Sequence, residues 1–313
     1  MNISSYRSGD EQEILNLFEL SFAKRLPDPV WEWRYLKNPS SMQMIYLMRD
    51  SGLLVGHYAV SPVYFVINNE KVLSGLSMTT MTHPQYGGRG IFSTLANNLY
   101  QTEKEKSGLN MVWGFPNTNS HYGFIKNLEW KDVCQIPTFS IRPALLNEVK
   151  DLKIDRCVQF TRAHEATYFA LTKDFSTKVH KDVSYLNWRY FQHPERPYNV
   201  FELESSHHTF FMVTKLYYSA NGFEIDILEM VVPDDLNIIS NFLSCVLRNY
   251  SEHTIERINM WLPFTDKKHI LLEKIGFRDS TPITYLGYRN LALKDSNVHY
   301  DRWHFSMGDS DVF

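Results

Sequence analysis

The chain has 313 residues, 43% of them hydrophobic and 14% aromatic, which is enough material for two large cores. Its formal net charge is −3 with no basic block, so nucleic acid is not the expected partner. No apolar run approaches the ~18 residues of a membrane span, and the polar, acidic start from Met1 to Glu13 argues against a signal peptide.

Taken in chain order, the pattern opens with a helix over Glu13 to Phe22, followed by Trp33-Arg34-Tyr35 and Pro39. Strand-like runs come next, Ile45 to Met48 and Leu53 to Val63, and then a β-rich run from Val72 to Thr82. That run leads into His83-Pro84-Gln85-Tyr86-Gly87-Gly88-Arg89-Gly90-Ile91-Phe92, and an amphipathic helix pattern, Phe92 to Glu105, leads out. Glycines let the backbone turn tightly and expose its amides. At a helix N-terminus the dipole and the unpaired N–H groups favour an anion. A strand, a glycine-rich turn and a helix therefore predict a pyrophosphate cradle. The spacing is neither Gly-x-x-x-x-Gly-Lys-Ser/Thr nor Gly-x-Gly-x-x-Gly, which sets aside a nucleoside-triphosphate loop and a dinucleotide fingerprint. A strand at Asn110 to Pro116, a polar turn (Asn117, Asn119, His121) and a short helix ending at Trp130 close the first half.

The same order then repeats. Trp33-Arg34-Tyr35-x-x-x-Pro39 recurs as Trp188-Arg189-Tyr190-x-x-x-Pro194, each preceded by a helical pattern and followed by two strand-like runs. Leu228 to Pro233 corresponds to Thr79 to Pro84, and Asn259 to Phe264 corresponds to Asn110 to Pro116. A period near 150 residues is a duplicated domain, too long for a solenoid unit. The linker is expected between Arg142 and Arg156, giving domains 1–146 and 147–313. In the second half the glycine loop is replaced by Asp234-Asp235-Leu236-Asn237-Ile238-Ile239, and two carboxylates there oppose anion binding. Cys134, Cys157 and Cys245 are too scattered for a disulfide framework or a zinc site, so a reduced, cytoplasmic protein without a metal is expected.

Gln85, Gly88 and Gly90, with Pro84 before them and Ile91-Phe92 opening a helix, resemble the Gln/Arg-x-x-Gly-x-Gly/Ala signature of the GNAT N-acyltransferases. The resemblance implies an α/β (α+β) fold of two tandem GNAT-like domains, mixed sheets flanked by helices. It also implies an acyl-CoA donor, acetyl-CoA or a hydroxyacyl-CoA, held by Thr80, Met81, Thr82, His83, Gln85, Tyr86, Gly87, Gly88, Arg89, Gly90 and Ile91. Direct attack of an amine on the thioester follows, with no covalent enzyme intermediate. The family often places a tyrosine four residues before a Gly-Phe pair as acid for the thiolate; here Ile125 stands at that position and Tyr122 lies nearby. Tyr122, His121 and Asn117 are the candidate catalytic residues, against a bland reading of Tyr122 as a half-buried aromatic with its hydroxyl in water and of Asn117 as a helix cap. Trp33 and Arg34 offer stacking and a guanidinium for a substrate, but their repetition in the degenerate half also fits an architectural role. Asp309, in the Gly308-Asp309-Ser310-Asp311 tail, could attract a substrate ammonium. The tail and the Trp-Arg-Tyr elements resemble those of tandem GNAT-like proteins that N-acylate nucleotide-linked amino sugars for surface polysaccharides. That makes a dTDP- or UDP-linked amino sugar the expected acceptor. Another small amine or aminoacyl conjugate, or a silent acyl-CoA-binding module, are the alternatives; a homodimer is also compatible.

Overall fold

A computed structural model describes residues 1–146, 152–293 and 300–313. The first half runs β1 (Asn2–Ser5), α1 (Glu11–Phe22), α2 (Asp28–Tyr35), β2 (Met44–Asp50), β3 (Leu53–Ile67), β4 (Glu70–Thr82), α3 (Ile91–Ser107), β5 (Met111–Gly114), α4 (Thr118–Leu128) and β6 (Lys131–Ile141). The second continues with β7 (Asp155–Arg156), α5 (Arg162–Leu171), β8 (Thr177–Val179), α6 (Val183–Tyr190), β9 (Tyr198–Glu204), β10 (Thr209–Ser219), β11 (Gly222–Val231), α7 (Leu236–Arg248), β12 (Ile255–Met260), α8 (Lys268–Ile275) and β13 (Arg278–Asn290). This is the mixed α/β order of two GNAT-like domains. The expected linker falls partly on residues 147–151, and the connector after Leu293 on 294–299, both outside the described residues.

The chain forms two compact units. One contains Met1–Cys134 and a segment starting at Tyr285; the other contains Gln135–Thr284 and the C-terminal tail. A single cut at 146 and 147 is therefore corrected to an interleaved division. The reason is an open edge in each sheet. The short β5 pairs with Gly287–Asn290 of β13, whereas β12 pairs with Phe139–Ile141 of β6. A strand that follows one half in sequence completes the sheet of the other, because unpaired edge amides need a partner and the later strand supplies them.

In the first unit β1 to β4 form an antiparallel meander, and β5 adds in parallel to β4. Asn68 and Asn69, both at positive φ, make the tight β3–β4 turn that such residues favour. Ile91, Leu95, Ala96, Leu99 and Tyr100 recur at helical spacing in α3 and bury one face of it on β2 and β3. Gly56 has to be small at that contact, since a Cβ would lie 2.3 Å from Ile91. The alternate residues of β3 face the other way: His57 meets the Tyr35 ring of α2 at 6.2 Å, and Ser61 accepts a hydrogen bond from Asn38 at 2.8 Å. Thus α3 and α2 cover opposite faces of one sheet. The second unit repeats the plan with β9 to β12 and a core between β10, β11 and α7.

Candidate active site

Strand β4 carries the site. It pairs with β5 only at Ser74, Gly75 and Leu76, then runs on to Thr82. β5 ends at Gly114, whose neighbour on the other side is Gly287. The β4–β5 ladder therefore stops at Leu76, and β4 runs on past the end of β5. Within that stretch β4 is bulged: Met81 faces His57 while Met78 faces Ala59. Thr79 takes φ 52°, a strained value for a β-branched residue. Two side chains hold it there. His57 donates from Nδ1 to the Thr79 carbonyl at 2.8 Å, and the Arg34 guanidinium donates to Thr79 Oγ1 at 3.3 Å. A bulge re-aims backbone groups out of the ladder, here along the strand that the sequence predicts to meet the donor.

The glycine loop follows directly. His83 accepts the Gln85 amide through Nδ1, so its ring shapes the turn, and Pro84–Tyr86 form a short 3₁₀ turn. Tyr86 donates to Asp50 at 3.2 Å, and the Arg89 guanidinium lies 4.6 Å over the Tyr86 ring. Gly88 (φ 74°) and Gly90 (φ 72°) adopt the left-handed conformation, whereas Gly87 (φ −56°) does not. Only two of the three glycines are thus required by the backbone. Gly90 caps α3 with no side-chain hydrogen bond and the first turn holds no acidic residue, so no carboxylate of that turn fills its amides. In the second unit Asp235 caps α7, accepting from Asn237 and Ile238 amides at 2.8 and 3.0 Å, while Asp234 pairs with Lys268 at 2.9 Å. The same helix position carries no side-chain cap in one unit and is closed by a carboxylate in the other. Glycines at positive φ, an uncapped helix start and a bulged strand that outruns its parallel neighbour fit a diphosphate-tailed thioester.

Thr80 and Thr82 are half-buried and Met81 is buried on β4. Asn117 accepts the Ser120 amide at 3.0 Å and so caps α4. His121 stacks on Tyr285 (centroids 4.0 Å apart) and bonds through Nε2 to Asp132 at 2.7 Å. Tyr122 is 63% exposed and accepts from Lys126. Trp33 is buried rather than presented for stacking, and Arg34 lies beneath the bulge.

Asp309 has to be corrected. It is 2% exposed in the second unit, where its carboxylate lies 2.8 Å from the fully buried Lys181 ammonium, which also donates to Glu229. Burial would lower the Lys181 pKa, but Asp309 and Glu229 together raise it. The carboxylate is committed to this cluster and is closed to a substrate ammonium. His57 and Asp132 escaped the sequence reading, since both stand in stretches whose pattern says only strand. His57 is wholly buried, and desolvation pulls its pKa down to about 4. The fold also gathers Cys157, His164 and Glu202. There Thr161 donates its amide to His164 Nδ1, so Nε2 carries the proton given to Glu202 at 2.8 Å. No nitrogen lone pair then faces the thiol, which desolvation pushes up to about 12, and the group reads as a hydrogen-bonded cluster. None of the described helices is long and apolar enough to cross a membrane.

Residues 2–132 match the family profile of the acetyltransferase (GNAT) domain. The chain is similar in structure to a GCN5-related N-acetyltransferase from Anabaena variabilis, with TM-score 0.73 and 11% identity over 93% of this chain and 72% of that one. A probable N-acyltransferase from Enterococcus faecalis gives TM-score 0.73 at 13% identity with the same coverage of both chains. Saccharomyces cerevisiae N-myristoyltransferase with bound myristoyl-CoA gives 0.60 at 11% identity, over 97% of this chain and 87% of that one. Comparison with curated protein sequences gives no match. The glycine loop, the bulged strand and these likenesses agree: residues 2–132 match the GNAT acetyltransferase domain by profile, and the chain has the GNAT fold.

Proposed function

We propose that this protein is a cytoplasmic acyl-CoA-dependent N-acyltransferase whose donor site lies in the first unit alone. The contrast between Gly90 and Asp235 carries the reading, because only the uncapped helix start can receive phosphate oxygens. Acyl-CoA supplies an activated thioester, and attack by a neutral amine forms the C–N bond as the C–S bond breaks. The amides of Gly88 to Ile91 hold the phosphates. The bulge at Thr79, fixed by His57 and Arg34, presents β4 backbone groups to the acyl end of the donor. His121 serves as base: with Nε2–H donated to Asp132, Nδ1 keeps the lone pair that can take the amine proton. Asn117 sets the start of α4 and thereby the place of His121. Tyr122 is the candidate proton donor to the thiolate.

The resemblance of the repeated Trp-Arg-Tyr elements and the tail supports a nucleotide-linked amino sugar as acceptor. A second reading, an aminoacyl amine, is favoured by the surroundings of Arg34. Calorimetric titration of the protein with coenzyme A, paired with thiol release from acetyl-CoA over an amine panel, tests the proposal. Micromolar coenzyme A binding with acceptor-dependent release is the expected result. Binding without release would leave a silent binding module, and no binding would remove the donor assignment.

A further inference from the structure

We infer that Arg34 binds a carbonyl or carboxylate oxygen of the acceptor, so that the amine acylated belongs to an amino acid or a peptide-like aminoacyl compound. This rests on the N-acyltransferase reading above and names its substrate class.

Arg34 is only 8% exposed, yet among the described residues it makes one hydrogen bond, to Thr79 Oγ1, and its buried Nε has no partner there. Among the described residues no carboxylate pairs with it. A buried guanidinium N–H without an acceptor is costly to leave unmade, and a fork of donors fits a carboxylate or paired carbonyls. The duplication shows what satisfies such an arginine. Its counterpart in the repeat, Arg189, is equally buried and donates from Nε to Gly308 O (3.0 Å) and from Nη2 to Ser310 O (3.1 Å) and Phe313 O (2.9 Å). Those oxygens belong to a stretch of main chain. Gly308 presses on the bulge of β11, where a Cβ would lie 3.1 Å from Leu228 O and 2.5 Å from Glu229 Oε1. The second unit thus holds a peptide of its own against its bulge, gripped by the repeated arginine. In the first unit the arginine and the bulge are present, and the arginine retains a donor with no acceptor.

The side of approach agrees. The phosphate loop opens α3, which covers the Gly56 and Tyr58 face of the sheet, whereas Arg34 reaches Thr79 from the α2 face. A molecule that meets Arg34 therefore comes to the bulged strand from the side opposite α3. A nucleobase finds no open stacking surface at this element, since Trp31 and Trp33 are 1% and 5% exposed.

Thiol release from acetyl-CoA is measured with free amino acids, dipeptides, their C-terminal amides, and UDP- and dTDP-amino sugars. Saturable release with an amino acid or dipeptide is expected. The amides separate a carboxylate ligand, which they abolish, from a peptide carbonyl, which they keep. Arg34→Gln should raise the acceptor KM about ten- to hundredfold, the loss of a charged hydrogen bond, against a smaller change in the coenzyme A Kd. Arg34→Lys, which keeps the charge and guards against misfolding of the first variant, should fall between. Release with amino sugars alone, no release with any amino acid or peptide by a protein that binds coenzyme A, or an unchanged acceptor KM in both variants overturns the inference. Failure of the wild-type protein to bind coenzyme A overturns the N-acyltransferase reading instead.

Discussion

Replacing each loop glycine by alanine separates what the loop needs from what its composition suggests. Gly88 and Gly90 sit at φ 74° and 72°, and the space around them is open: a Cβ on Gly90 would come no closer than 3.8 Å to Ser93 Oγ, and one on Gly88 meets nothing within 4 Å. Sterics with neighbours therefore play no part, and the whole effect is the backbone cost of a left-handed L-residue, about 1–2 kcal/mol. If the loop keeps its shape, that cost appears as a fall in Tm of roughly 2–4 °C per kcal/mol for a unit of this size. If it relaxes, the amides turn away from the phosphates, and each lost charged hydrogen bond weakens binding about tenfold or more. Gly87, at φ −56° with its nearest would-be neighbour 3.8 Å away, is the internal control. Titration calorimetry with coenzyme A and thermal unfolding should show Gly88→Ala and Gly90→Ala impaired in affinity, stability or both, and Gly87→Ala unchanged. Equal impairment of Gly87→Ala, or wild-type affinity and Tm in Gly90→Ala, would refute the reasoning.

Three further outcomes are expected. Lys181→Met leaves Glu229 and Asp309 buried without their cation, so urea unfolding of the second unit should show a loss of about 3–5 kcal/mol, and the tail should become protease-sensitive; a loss below 1 kcal/mol would contradict the cluster's role. Because the folded pKa of His57 is depressed to about 4, its contribution is complete above the unfolded value near 6.5 and is lost as pH falls from there to about 4. That amounts to roughly 3 kcal/mol of acid sensitivity. His57→Phe should be less stable at pH 7, through the unpartnered Thr79 carbonyl, but flatter across that range; an unchanged pH slope would count against it. Tyr122→Phe tests the proton donor: kcat should fall about tenfold or more, and a change under about twofold would remove the role.

Local information made much of the molecule legible. The loop between β4 and α3 declares itself because glycine is a requirement of φ, and its loss from the second half declares itself for the same reason. The repeat of Trp-Arg-Tyr is visible as a string, and its three side chains are buried alike in both copies. What the string does not show is what each copy touches. Arg34 and Arg189 stand in the same motif, but one meets a threonine on a bulge and the other a length of main chain from over a hundred residues away. His57 looks like any polar residue in a strand until the bulge opposite places the Thr79 carbonyl on its ring. Asp309 looks like an available carboxylate until Lys181 is found beside it.

The element order, the internal repeat and the restriction of the glycine loop to the first half could be read from the string alone. These depend on periodicity and on backbone conformations that only certain residues adopt. Only folding in three dimensions set which segments make up each unit, the end of the β4–β5 ladder at Leu76, and the acceptors of each arginine. Those depend on which edge strand and which acceptor come within hydrogen-bond reach, a matter of long-range pairing that no local pattern encodes.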